Sequence, residues 1–244
     1  MITEKQEILA SLRKQILEAQ GFKTGFAATG DDFGLGKIEA CFPNSIFPTG
    51  TIHEFLSEQA EDTAASEGFI AGLLAKLMKN GNSCLWISSS RRLFPPSLEN
   101  YGVDPQQIIF IDLNYSKEIL WVMEEALKCE GLACVVAEIS DIDFAQSRRL
   151  QLATEQSQVT GFLLRKEPKR MLSATACTAR WQIKPQPTAL IAGIPGVGNP
   201  RWEVNLLKVK NGEGGKFLIE WAEDRFVLVN TEKDQLVLHP KQAG

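Results

Sequence analysis

The chain has 244 residues, a formal net charge of −4, 44% hydrophobic and 23% charged residues, which is the make-up of an ordinary globular protein. That length accommodates one large domain or a domain with appendages. No apolar run approaches the roughly 18 residues of a membrane span, and the charged N-terminus MITEKQEILASLRKQ lacks the apolar core of a signal peptide, so a cytoplasmic protein is expected.

Residues 3–20 read as a helix with Ile8, Leu9, Leu12, Ile16 and Leu17 on one face and Gly21 at its end. The Gly-rich stretch GFKTGFAATGDDFGLGK follows. Its Gly34, Gly36 and Lys37 do not make a phosphate loop. Gly30 is one residue too far from Gly36, Ile38 stands where Ser or Thr would follow the Lys, and no strand precedes it. These residues set an N-terminal helix and linker, 1–45, apart from a core of 46–230 and a tail of 231–244.

The core opens on FPTGTIHEFLSEQAEDTAASEGFIAGLLAKLMKN. Thr51 to Leu56 reads as a strand, and from Ala64 onward Ile70, Leu73, Leu74, Leu77 and Met78 recur at helical spacing. Strand, loop and helix is the layout in which α/β proteins cradle phosphate. The loop expected between Ser57 and Glu67 holds no Gly and no Lys, but carries Glu58, Glu61, Asp62 and Glu67.

Strands and helices then alternate. SCLWI (83–87), QIIFI (107–111), LACVVAEI (132–139) and VTGFLL (159–164) read as strands. A short helix ends at Gly102, a second spans Ser116 to Lys128 with an i,i+4 pair of Glu124 and Lys128, and a third starts at a capping box of Asp143 and Gln146. Continuous apolar strands separated by helices predict a parallel sheet covered on both faces. Beyond Ala174 the signals change to hairpins, with Asn211-Gly212 as one turn. The expected fold is therefore α/β, a mainly parallel sheet flanked by helices and ending in antiparallel strands. Gly193, Gly196 and Gly198 precede no helix, so they mark a loop and not a dinucleotide fingerprint.

Charge is unevenly placed. Thr51 to Ile70 carries five acids and no base, whereas Arg165 to Lys216 carries ten bases and three acids. The basic half could meet DNA or an acidic protein face, or could be the solvated surface of ordinary strands. Arg148 and Arg149 follow the capped turn of their helix, where they either join a partner or DNA surface or pair with nearby acids such as Asp141 and Glu155. Trp181, Trp202 and Trp221 fall on late strands and are expected in the core. Five Cys without a CxxC pair read as reduced thiols. His53 and His239 lie too far apart in sequence to suggest zinc, and two His leave little room for a Ser/His/Asp or Cys/His arrangement, none of which stands out.

Several of these segments resemble a known family. FPTGTIHEFL, Tyr101-Gly102-Val103-Asp104, ACVVAEIS and RWEVNLLKVKN resemble the RecA-like recombinase core. Within that superfamily, TGTIHEF, CLWI, the stretch from Ile119 to Arg165, TARWQI and PRWEVNLLKVKNG resemble the ImuA family, with Ser147 to Ala153 and Thr160-Gly161 the most specific part. The resemblance implies a RecA-like accessory protein of SOS-inducible error-prone translesion synthesis. Its implied partners are a Y-family-like polymerase (ImuB-type) and a DnaE-type polymerase, with DNA as a further contact.

RecA chemistry does not transfer residue by residue. Thr63 stands alone without a Lys, Ser88, Ser89 and Ser90 stand where a catalytic Glu would follow its strand, and Glu138 remains near the metal-binding strand position. The chain is therefore expected to be non-catalytic, without cofactor or metal, cytoplasmic and nucleoid-associated. Arg148, Arg149, Arg201, Lys208, Lys210 and Lys216 are its candidate DNA or partner contacts. Two alternatives stay open: an ATP-dependent RecA-type motor on DNA, and a SulA-like inhibitor of cell division.

Overall fold

The computed structural model describes residues 33–89, 91–166, 173–188 and 198–229. The readings made above for residues 3–20, for Gly193 and Gly196, and for the tail fall outside them. The described residues build one nine-stranded sheet of order β3-β2-β4-β5-β1-β6-β7-β8-β9. Its strands are β1 (Ile52–Ser57), β2 (Ser83–Ser88), β3 (Ile108–Asp112), β4 (Leu132–Ile139), β5 (Thr160–Lys166), β6 (Ala179–Gln186), β7 (Arg201–Val209), β8 (Gly215–Ala222) and β9 (Arg225–Leu228). Among the described residues three α-helices join them: α1 (Ala60–Leu77), α2 (Ser116–Ala126) and α3 (Phe144–Ser157). No helix among the described residues is long and apolar enough to cross a membrane.

β1 to β5 pair in parallel. β6 is the transition strand, parallel to β1 and antiparallel to β7, and β7 to β9 continue antiparallel. The mainly parallel sheet with an antiparallel end is thus as expected. All six residues of β1 are buried, as a strand covered on both faces requires. The short helix before Gly102 is a 3-10 turn, Pro95–Tyr101, and Gly102 caps it at φ 76°. The Asp143–Gln146 capping box forms in both directions.

Two cores sandwich the sheet. On one face α1 packs with Phe55, Trp86, Phe162, Trp181, Trp202, Trp221 and Phe226. Phe33, Leu35, Ile38 and Phe42, assigned by sequence to the N-terminal linker, are buried in this same core. On the other face Ile119, Met123 and Leu127 of the α2 segment, with Leu150 and Ala153 of α3, cover Ile52, Val135, Ala137 and Leu163. All three tryptophans expected inside are inside.

The antiparallel end can fold against α1 because the helix presents glycine there. A Cβ at Gly72 would lie 2.5 Å from Phe226 Cζ and 2.8 Å from Trp221 Cζ3. Gly72→Val is expected to destabilise by about 1–3 kcal/mol through overpacking. A lowered urea midpoint would register it, and an unchanged midpoint would show that the aromatic pair yields without cost.

One expectation is corrected here. The acidic stretch from Ser57 to Glu67 is not a loop, because α1 begins at Ala60 and only Glu58 and Gln59 separate it from β1. The Asp62 carboxylate accepts the Glu58 N–H at 3.3 Å, and Thr63 Oγ1 donates to the Gln59 carbonyl at 3.2 Å. Glu61 and Asp62 lie in the first helical turn, where the helix dipole favours negative charge. The acids mark a helix start.

Candidate functional site

The parallel strands all end at one edge of the sheet, which is where open α/β sheets place ligands. Side chains alternate between the faces along each strand. Ser57 at the end of β1, Glu138 on β4 and Lys166 on β5 therefore point to the α1 side, while Glu54 and Arg165 point to the other. Two ionic networks result, one on each side of the sheet.

On the α1 side, Glu138 is fully buried. Its Oε1 accepts from Trp86 Nε1 at 3.3 Å, and its Oε2 accepts from the Ser89 N–H at 3.3 Å and from Lys166 Nζ at 2.7 Å. The same ammonium lies 3.6 Å from Glu67 Oε1, on the second turn of α1. That oxygen is buried and has no hydrogen-bond partner. Burial pushes the Glu67 carboxyl above its ordinary range, the nearby Lys166 charge opposes this, and Glu138 adds to it. Ser57 and Ser66 hydroxyls meet at 3.2 Å beneath the network.

Across the sheet, Arg165 is completely buried. Its Nη1 donates to Glu54 Oε1 at 2.6 Å and to Ser173 Oγ at 3.1 Å, and its Nη2 donates to Asp141 Oδ1 at 2.8 Å. Glu54 Oε2 accepts from Arg180 Nε at 2.7 Å and from Thr175 Oγ1 at 2.8 Å. Ser147 Oγ accepts the Ala176 N–H at 3.0 Å, and Lys208 Nζ donates to the Thr175 carbonyl at 2.9 Å. The stretch leading into β6 is therefore fastened to β1, α3 and β7 together. Cys177 lies in it, and burial, with Glu54 adding, pushes its thiol up to about 12.

These networks draw three bases of the predicted basic half, Arg165, Lys166 and Arg180, into the protein. The six candidate contacts do not gather in one place. Arg148 reaches Gln151 at 2.8 Å and Glu155 at 3.5 Å, the latter an acid named for it, and Arg149 reaches Glu124 of α2 at 2.5 Å, an acid that was not. Asp141 instead serves Arg165. Arg201 makes two bonds to Glu220 across β7 and β8, at 2.7 and 3.0 Å. Lys216 pairs with Glu203 at 2.9 Å and holds that carboxyl below its ordinary range. Lys208 and Lys210 stand exposed near the end of β7. Glu124 also pairs with Lys128 at 3.6 Å, as its spacing predicted.

His53 lies away from the strand ends. Its ring stacks on Phe47 at 4.7 Å with an interplanar angle of 3°. Nε2 is 2.8 Å from the Pro48 carbonyl, and Nδ1 accepts the Trp181 indole N–H at 3.3 Å. These bonds fix a neutral tautomer, with the proton on Nε2.

The strand order, the helix-covered parallel half and the antiparallel end define a RecA-like α/β domain. Among solved structures, the crystal structure of the RadB recombinase superposes with a TM-score of 0.54, covering 82% of this chain and 99% of that one at 14% identity. The sequence is also 32% identical over 202 residues to Protein ImuA of two Caulobacter vibrioides strains, spanning 78% of this chain and 83% of each relative. The chain belongs to the ImuA family. No general family model matches the sequence.

Proposed function

We propose that the chain is a non-catalytic RecA-like accessory protein of SOS-inducible error-prone DNA repair, acting through protein contacts with a Y-family-like (ImuB-type) and a DnaE-type polymerase in the cytoplasm, at the nucleoid. Family membership supports the pathway. The occupied carboxyl end of the sheet supports the absence of catalysis. A phosphate-cradling loop uses eight residues with Gly, Lys and Ser or Thr, and the connection here is Glu58 and Gln59. Glu138, at the strand position that would serve a metal, already holds the Lys166 ammonium at 2.7 Å. A triphosphate brought to this end would also approach Glu58, Glu61, Asp62 and Glu67. Each like-charge approach near 4 Å costs on the order of 4 kcal/mol at an effective dielectric of about 20, before screening.

Co-purification of the full chain with each polymerase tests the partner reading, and failure to recover either one would count against it. Titration calorimetry with ATP, with and without single-stranded DNA, tests the other half. No saturable heat is expected. Micromolar binding that disappears in Thr63→Ala would favour the motor reading instead.

A further inference from the structure

Lys166, Glu138 and Glu67 come from three different elements, β5, β4 and α1, and converge on one point. The ammonium there is 2.7 Å from one carboxylate oxygen and 3.6 Å from another. Both carboxylates are buried, Glu138 completely and the Glu67 side chain to nine-tenths. They differ in how well they are satisfied. Glu138 accepts from the Trp86 indole, the Ser89 backbone and Lys166, whereas Glu67 Oε1 faces the ammonium without a hydrogen bond. With both acids ionised, the trio carries one net negative charge. Two buried carboxylates held this way and aimed at one point are hard oxygen ligands of the kind Mg2+ and Mn2+ take, commonly with waters completing the shell.

We propose that Glu67 and Glu138 form a divalent-cation seat which the chain fills with its own lysine, so that the Lys166 ammonium is a tethered cation holding α1 to the ends of β4 and β5. The inference rests on the non-catalytic reading of this end of the sheet. Without the ammonium, the two carboxylates repel each other in a poorly solvated place. The charge of Arg92 still acts on Glu67, but with Lys166 gone it faces two carboxylates, which then take up a proton or recruit a cation from solution. The lysine thereby makes the junction indifferent to divalent metal, and its removal should make the fold metal-dependent.

The test needs neither nucleotide nor polymerase, so its outcome is separable from those of the two experiments above. Thermal unfolding of the full-length wild type, Lys166→Ala and the double variant K166A/E138Q is followed in chelator and in millimolar Mn2+. The wild-type Tm should not respond to the metal. Lys166→Ala should melt lower in chelator and rise by about 5–10 °C once Mn2+ exceeds its Kd about a hundredfold. Ethylammonium, which restores the missing charge, should partly replace Mn2+. The double variant should gain nothing from either. If Lys166→Ala is unfolded in chelator, recovery of a cooperative transition on adding Mn2+ carries the same information. The proposal is overturned if Mn2+ fails to stabilise Lys166→Ala, if the double variant responds equally, or if the wild type binds Mn2+ in a way that Glu138→Gln abolishes.

Discussion

Arg165→Met is expected to cost about 3–5 kcal/mol, the range for removing one partner of a buried ion pair. That is a large share of the 5–15 kcal/mol by which a typical domain is stable. The guanidinium has no solvent exposure and bonds Glu54, Asp141 and Ser173 at once. Methionine fills much of the same volume, so little of the loss should come from a cavity. The loss arises because Glu54, also completely buried, keeps Arg180 as its one ion-pair partner among the described residues and must hold its charge in a poorly solvated place. Urea unfolding measures this directly. E54Q/R165M should be less destabilised than the two single losses summed, since no buried carboxylate is then left under-compensated. A loss below about 1 kcal/mol for Arg165→Met would mean that water reaches Glu54 and that the network is not the clamp its geometry describes.

The second large effect is with acid. Burial lowers His53 to about 4, and its bond to the Pro48 carbonyl only partly opposes this. An unfolded chain takes up the proton near pH 6.5, the ordinary imidazole value, while the folded chain holds the ring neutral down to about pH 4. Between those values the unfolded state binds more protons, so stability rises with pH there and falls as pH falls. The contribution is fully present above pH 6.5, and complete expression of the shift would remove about 3 kcal/mol by pH 4. Glu67 works in the opposite sense, because a raised carboxyl pKa favours the folded state in acid. His53→Gln keeps a hydrogen-bonding side chain without an imidazole. Its stability, measured by urea unfolding between pH 7 and 4, should therefore fall less steeply than that of the wild type. Parallel curves for the two proteins would show that the ring's burial does not govern the acid response.

Much of the architecture could be read from the sequence because its signals are local. Apolar runs such as LACVVAEI, the Asp143–Gln146 box and the Asn211-Gly212 turn each fix their own neighbourhood. The β1–α1 junction was misread because acids at a helix start and acids in a loop look alike until the first apolar residues set the period. Glu61 and Asp62 just before the buried face were the available cue. The two ionic networks were out of reach for a different reason. Arg165 meets Glu54 across 111 positions, and Lys166 meets Glu138 across 28. Two adjacent bases on a strand necessarily serve opposite faces of the sheet, yet in sequence they read as one basic patch. The pairing of Arg148 on α3 was nearer the surface of the sequence, since Glu155 lies within two turns, whereas Arg149 meets Glu124 of α2, 25 positions away.

β1 has one further consequence, for synthesis. Its two neighbours in the sheet are β5 and β6, whose pairing residues lie more than a hundred positions downstream. The ribosome adds about 5–20 residues per second. The strand IHEFLS, wholly buried in the finished protein, therefore emerges and waits several seconds or longer before either partner strand has been made. Partnerships at that distance are also slow to form, because loop closure must precede them. During that interval a strand destined for the core, with two open edges, is free to pair with another chain. Stalled or truncated products that end before Ala179 should for this reason be the aggregating species, and the demand on chaperones should fall sharply once β6 has left the ribosome.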